Sequence, residues 1–392
     1  VIYHVAWEKA ASEAKPARHA PLPLYRLHEV AKFALDEVLD MRGRDNLDAA
    51  SAAGDKLTAA QVASGLRAMG AGTSVTERFS ATSLGVAEAM RPSFEQLTNN
   101  LVHQKLLTRD DGGYLATPVF IDAADSATRL LRESIETYPG HLPESLLCGA
   151  TCAELGAIMR GEKEAVQVLF SNGGADLLDQ FYGDGLVTSP WLAAIASAVE
   201  EVCRHLPEGR GLRILEIGAG TGGLASQVLP MIARGLHSYV FSDVSPAFFP
   251  AARQKLAAFP ETEFKVFDLE KPGEEQDFEP GSFDIILGTN VIHAVADVRV
   301  ALRNINDLLA PGGSLLFVEV ASPHLWLNAV FGLTAGWWRF TDRDLRPLHP
   351  LLDRSQWEAV LLESGFSEAA SLSGLIRTQG GESLIALMAQ KP

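Results

Sequence analysis

One decapeptide restricts this chain more than any other stretch. Ile214-Leu215-Glu216-Ile217 is a largely apolar run that opens into Gly218-Ala219-Gly220-Thr221-Gly222-Gly223. Glycine reaches backbone angles that other residues avoid and lets a backbone approach a ligand closely. The segment therefore reads as a strand turning tightly into a helix. The rest of the second half repeats that alternation. Leu212–Ile217, Tyr239–Phe241, Phe264–Phe267, Phe283–Leu287 and Leu315–Val320 are short apolar runs, and Gly223–Ala233, Ala247–Ala258 and Asp297–Leu309 carry helical spacing between most of them. Alternating strands and helices predict an α/β fold with a mainly parallel sheet covered on both faces. A helix over Pro190–His205 leads into the sheet, while Gln356–Ser364 and Ser383–Met388 add a closing helix and strand.

The first half reads differently. Val1 to Trp7 is expected to form a short strand and Glu8 to Pro23 a connector, giving an N-terminal unit 1–23. From 24 to 187 the pattern is mainly helical. Leu24, Leu27, Val30, Ala31, Ala34, Leu35 and Val38 recur at helical spacing. A second helix is expected from Thr58 to Met69-Gly70, and a third over Phe94–Leu107. The third is followed by the turn signal Asp110-Asp111-Gly112-Gly113 and a strand Tyr114–Thr117. Helix followed by hairpin resembles a winged helix, here expected to be a packing or lid element. The division is thus 1–23, 24–187 and 188–392.

Charge excludes several partners. Lys and Arg number 33 against 49 Asp and Glu, a formal net charge of −16. Neither a nucleic-acid backbone nor an anionic membrane suits such a chain. The longest apolar candidate, Leu325 to Trp338, is too short to span a bilayer and contains Asn328. Three cysteines, Cys148, Cys152 and Cys203, cannot all pair and point to a reducing, cytoplasmic setting. No metal-ligand spacing is present. The chain begins at Val1 instead of Met, which is expected of a segment cut from a larger polypeptide or of a processed or trimmed terminus.

The glycine loop has two readings. Gly218, Gly220 and Gly223 satisfy the dinucleotide fingerprint G-x-G-x-x-G. Glu216 argues against it, because an acid at that position would repel a pyrophosphate and suit an ammonium group. With Gly222 the pattern becomes E-x-G-x-G-x-G, which resembles the first motif of methyltransferases that use S-adenosylmethionine. The following strand ends agree. Asp243, beside Val244, ends the second strand and can accept from ribose hydroxyls. Asp268, beside Leu269, ends the third and can accept from an adenine amino group. Asn290 ends the fourth strand and joins the same cofactor set, as does Tyr182, which precedes the core.

Beyond Asn290 come Val291-Ile292-His293, and the fifth strand ends at Glu319. Neighbouring parallel strands present their C-terminal ends to one crevice, so His293 and Glu319 are expected to meet. A histidine can serve as a base near neutral pH. A carboxylate on its other ring nitrogen would fix the tautomer and raise the basicity.

Asn290-Val291-Ile292-His293-Ala294, the Glu319 strand end, Phe331-Gly332-Leu333-Thr334-Ala335-Gly336-Trp337-Trp338-Arg339-Phe340, Arg346-Pro347-Leu348 and Gln356-Trp357 resemble the C-methyltransferase domain of polyketide synthases. The likeness covers about residues 180–392. It implies a Rossmann-like core with a seven-stranded sheet under a helical lid, and S-adenosylmethionine as cofactor. It implies methylation of the α-carbon of a β-ketoacyl thioester on the phosphopantetheine arm of an acyl carrier protein. Neighbouring synthase domains are the other implied partners. The family's His-Glu dyad falls on His293 and Glu319. Where the family often carries Glu before Gly-Trp-Trp, Ala335 stands here. Phe331, Trp337 and Trp338 are candidates for the acyl wall, and Arg339, Arg343 and Arg346 form a basic run that could dock the arm's phosphate or the carrier. A small-molecule O-methyltransferase with a histidine base and a non-catalytic spacer are the competing readings.

Overall fold

The computed structural model describes residues 22–171, 173–373, 377–378 and 381–392. The expected strand Val1–Trp7 and nearly all of the connector lie outside the described residues. Helix α1 (Leu24–Arg42) buries Leu24, Leu27, Ala31, Leu35 and Leu39, one residue per turn or nearly so. Gly43, at φ 78°, turns the chain directly into α2 (Arg44–Ala68). That helix starts fourteen residues before the expected Thr58. Its first half is rich in Ala and polar residues because Ala50, Ser51, Gly54 and Asp55 border a cavity instead of a packed core. The apolar periodicity used to find helices is therefore weak there.

Strand β1 (Arg78–Phe79), helix α3 (Arg91–His103), and strands β2 (Leu107–Asp110) and β3 (Gly113–Ala116) follow, the strands pairing antiparallel in the order β1-β3-β2. This small sheet behind α3 is the expected winged arrangement. Helices α4 (Pro118–Thr137), α5 (Leu142–Ala153), α6 (Leu155–Met159), α7 (Ala165–Phe170) and α8 (Gly174–Gly183) complete the first half.

Helix α9 (Ser189–Arg204) leads to β4 (Leu212–Ile217), α10 (Gly223–Ile232), β5 (Leu236–Asp243), α11 (Phe249–Lys255), β6 (Thr262–Val266), β7 (Phe283–Thr289), α12 (Val298–Leu308) and β8 (Leu309–Val320). Helices α13 (Leu325–Val330) and α14 (Arg354–Glu363) precede β9 (Glu368–Ser373), a short hairpin of β10 (Arg377–Thr378) and β11 (Gly381–Glu382), and β12 (Leu384–Gln390). Seven strands form one sheet in the order β6-β5-β4-β7-β8-β12-β9. β4 to β8 are parallel, while β12 runs antiparallel to both β8 and β9. The direction of winding reverses between β4 and β7, the switch point where open α/β sheets gather ligands. Strand β9 was not expected. Its Glu-Ala-Ala-Ser-Leu-Ser sequence has little β propensity and is held by pairing with β12.

Three large hydrophobic clusters fill the molecule. One joins α1, α9 and α10 to one face of the sheet, and another joins α12 and α14 to the opposite face. The third joins α2 to α8, including Phe94, Leu97, Phe120 and Leu155, with Leu325, Ala329 and Val330 of α13. Helix α1 thus packs with the sheet, and α13 packs with the lid helices. Cys148, Cys152 and Cys203 are free. Among the described residues no helix is long and apolar enough to cross a membrane, and no group of His, Cys, Asp or Glu is arranged to hold a metal.

Candidate active site

A cavity of about 690 Å³ lies along the C-terminal ends of the strands, roofed by lid helices. Its floor begins at the glycine loop. Gly218 sits at φ 55°, and a Cβ there would come within 2.1 Å of Val291 Cγ2. Gly220 sits at φ 51° and faces open space, since a Cβ there would meet nothing nearer than Gly218 O at 4.0 Å. The loop is thus shaped by Val291 on one side and leaves a cradle on the other. Gly222, at φ 80°, lies behind the cradle against Phe241 and starts α10.

Acidic groups surround the cradle. Glu216 is buried at the end of β4 and accepts from the Tyr239 hydroxyl at 2.7 Å. Burial, with a smaller contribution from the nearby Asp243 carboxylate, pushes its carboxyl up to about 8. Asp243 accepts from the backbone N–H of Gly220 at 3.0 Å and of Ser245 at 2.8 Å, while burial raises its pKa. Val244, Asp268 and Leu269 line the same end. Asp268 accepts from the backbone N–H of Glu270 at 3.0 Å and faces Lys271 Nζ at 3.1 Å. Asn290 stands at φ 52°, a left-handed conformation unusual outside glycine and frequent at functional sites. Its Oδ1, with the hydroxyls of Thr221 and Thr289, is buried without a hydrogen-bond partner among the described residues. The cradle, the three carboxyl groups and these orphaned oxygens fit a ligand that carries a positive charge and several polar groups.

The strand ends bring His293 and Glu319 together. Glu319 Oε2 accepts from His293 Nδ1 at 2.5 Å. Its Oε1 accepts from the backbone N–H of Ile292 at 2.7 Å and of Val291 at 3.1 Å. One fully buried carboxylate therefore orients the ring and builds the turn that carries it. With Nδ1 donating, Nε2 holds a lone pair, and His293 borders the cavity. The turn is closed from below by Arg346, a fully buried guanidinium that pairs with Asp342 at 2.7 Å and donates to the carbonyls of His293 at 2.7 Å and Val295 at 2.9 Å.

The remaining expected residues separate. Trp337 meets the edge of the His293 ring at 5.3 Å, and Phe331 and Tyr182 line the cavity with ring centroids 6.2 Å apart. Burial beside Glu319 raises the Tyr182 phenol well above its ordinary value. Trp338 turns away from the cavity, and its indole N–H donates to Ser93 Oγ and Gly332 O, both at 2.9 Å. Of the basic run, Arg346 is consumed by the turn and is not available for docking. Arg339 pairs with Glu270 at the cavity wall, and Arg343 stacks on Phe340 at 4.0 Å. Sequence reasoning missed Arg346 as a builder of the dyad turn, because buried and exposed arginines look alike in a sequence.

Residues 215–315 match the family described as methyltransferase domain. The chain is similar to the non-reducing polyketide synthase Preu3 of Preussia isomera, at 31% identity over 283 residues, 71% of this chain and 11% of that protein. It thus spans about a tenth of the length of that relative. Its fold is similar to the CurJ carbon methyltransferase, with a TM-score of 0.84 and 28% identity over 94% of this chain and 98% of that one. It is also similar to the CMeT domain of the citrinin polyketide synthase, with a TM-score of 0.83 and 25% identity over 94% and 97% of the two chains. The glycine cradle at the switch point and these likenesses agree, and the chain belongs to the S-adenosylmethionine-dependent C-methyltransferase domains of polyketide synthases.

Proposed function

We propose that this domain methylates the α-carbon of a β-ketoacyl thioester carried on the phosphopantetheine arm of an acyl carrier protein. The observation that carries the reading is the His293–Glu319 pair at 2.5 Å, held at the cavity wall between the glycine cradle and the lid. S-adenosylmethionine, when bound, supplies an electrophilic methyl group and departs as a neutral thioether, so no acid is needed for its departure. Glu216, Gly218, Gly220, Asp243, Val244, Asp268, Leu269 and Asn290 would hold it, with Gly222 setting the loop behind them and Tyr182 closing over it.

The chain's own chemistry acts on the acyl group. The α-carbon lies between a ketone and a thioester, so its proton is unusually acidic for carbon. His293 Nε2 takes that proton, and the electron pair moves onto the β-keto oxygen as an enolate. Glu319 keeps Nδ1 protonated and stabilises the imidazolium that forms. A positioned base of this kind typically contributes about 10²–10⁴-fold. Trp337, packed on the imidazole edge, excludes water from the enolate. Tyr182 stays a neutral O–H donor at working pH.

The test is intact-mass spectrometry of a carrier protein loaded with a β-ketoacyl group, incubated with this chain and S-adenosylmethionine. The expected result is a mass gain of one methyl for one hydrogen, placed on the α-carbon by fragmentation. No gain while cofactor binding is demonstrated separately would overturn the reading.

A further inference from the structure

The cavity continues past the dyad. It passes Val320 at the end of β8 and Leu384 at the start of β12, and runs on beneath α2 and α5. Strands lie about 4.8 Å apart, so three strand spacings, roughly 14 Å, separate β4, which carries the cradle, from β12. An aromatic wall covers this stretch. Tyr182, Phe331, Phe181 and Trp326 touch in succession, with ring centroids 5.0 to 6.4 Å apart. Trp326 then stacks on His324 at 6.3 Å, and its indole N–H donates to the carbonyl of Glu144 at 2.8 Å.

At the end of this wall stand three titratable groups that the proposed chemistry does not use. His141, Glu144 and His324 all line the cavity. Neither carboxyl oxygen of Glu144 has a hydrogen-bond partner from another described residue, and His141 Nε2 has none either. His141 Nδ1 lies 3.8 Å from Glu144 Oε1, beyond hydrogen-bond reach. His324 Nδ1 faces the Ser322 carbonyl at 3.2 Å and donates to it, which leaves Nε2 as an acceptor. Buried polar atoms without partners are few in native proteins, and each asks for an explanation. Here the atoms belong to neighbouring residues and border one cavity, so a ligand group is the simplest partner.

The chemistry of that group is restricted. An anion would meet the Glu144 carboxyl, and neither Lys nor Arg belongs to the cluster. Burial moves all three residues toward their neutral forms, with Glu144 pushed up to about 7 and both histidines lowered. A neutral group that both donates and accepts fits best, and a hydroxyl is the smallest. The cluster lies beside α2 and α5 and is reached from the dyad along an apolar, aromatic wall, which suits a hydrocarbon chain better than the amide-bearing arm of a carrier-bound substrate. The group therefore belongs to the acyl chain.

We propose that His141, Glu144 and His324 form a specificity subsite that hydrogen-bonds a hydroxyl on the acyl chain, remote from the reacting carbon. This rests on the function proposed above. The test compares β-ketoacyl thioesters of equal length on one pantetheine arm, with a hydroxyl walked along the chain or replaced by methylene. Wild type should favour one hydroxyl position by about tenfold or more in kcat/KM, the size expected of a hydrogen bond to a buried partner. Glu144→Leu should bring that ratio near unity, and Glu144→Gln should keep part of it. Because each ratio is read within one preparation, an unfolded fraction cancels. A wild-type ratio of unity at every position, or an unchanged ratio in Glu144→Leu, overturns the subsite. So does an effect that disappears when the pantetheine arm is shortened while the acyl chain is kept. Failure of wild type to methylate any of these thioesters would instead overturn the function itself.

Discussion

Glu319 serves two ends with one carboxylate, and that decides which substitution is informative. Oε1 holds the amides of the turn and Oε2 holds the ring, so removing Glu319 disturbs backbone and base together. His293 makes the cleaner test. Its side chain donates only to Glu319, and the cofactor cradle is built by other residues. His293→Ala is expected to lower turnover of a carrier-bound β-ketoacyl group by about 10²-fold or more while cofactor affinity, read by calorimetry, stays close to wild type. Turnover near the wild-type rate in the folded variant would remove His293 from the role of base. The pairing was legible from the sequence because His293 lies just past the end of β7 and Glu319 at the end of the adjacent β8. Arg346 was not. It lies in a run of three arginines that suggests a docking surface, yet its side chain is fully buried and spends its donors on Asp342 and the carbonyls of 293, 295, 296 and 350. Removing one member of such a buried pair typically costs about 3–5 kcal/mol, a structural cost unrelated to carrier binding.

Between elements, the glycine loop and the β7 turn are fitted to each other. A Cβ on Gly218 would lie 2.1 Å from Val291 Cγ2 and 2.7 Å from its Cβ. Gly218→Ala should therefore displace the dyad turn as well as the cradle and reduce both cofactor affinity and kcat. Adding Val291→Ala should restore part of the loss, leaving about 1–2 kcal/mol for a non-glycine residue in the left-handed region. Additive effects in that double-mutant cycle, measured by calorimetry and turnover, would contradict direct contact. The elements that define this crevice were the readable ones. Strands β4, β5, β7 and β8 are apolar enough to show their period, and glycines mark the loop. The elements that were misread have mixed surroundings. The first half of α2 faces a cavity, and β9 is an edge strand of small residues. Periodicity reports a helix or strand packed against one core, so an element serving a cavity or two cores loses its signature.

For the molecule as a whole, buried titratable groups fix how stability responds to pH. Glu216 and Glu144 are raised to about 8 and about 7, from 4.5. The folded state therefore holds more protons than the unfolded chain between pH 4.5 and those values, and stability falls as pH rises through that window. His349 runs the other way. Its Nε2 faces Asn328 Oδ1 at 3.1 Å, and burial lowers it from 6.5 to about 3, with His141 and His324 also lowered. The unfolded chain takes up those protons below pH 6.5, so stability also falls on acidification. Above pH 6.5 the histidine contribution fades and the raised carboxyls dominate, with a slope approaching about 1.4 kcal/mol per pH unit for each one still protonated in the folded state. The ligand-free protein should thus lose thermal stability from pH 6.5 to 8. Glu216→Gln should flatten much of that decline, because the amide keeps the Tyr239 hydrogen bond and cannot titrate. A bound cation facing Glu216 favours its carboxylate, so S-adenosylmethionine should stabilise the protein more at pH 8 than at pH 6.5 and should release protons on binding near neutrality. Melting temperatures at both pH values, with and without cofactor, and calorimetry in buffers of different ionisation enthalpy would check this. A cofactor-induced shift independent of pH in wild type, or equal pH dependence in wild type and Glu216→Gln, would show that Glu216 does not face the cofactor's charge.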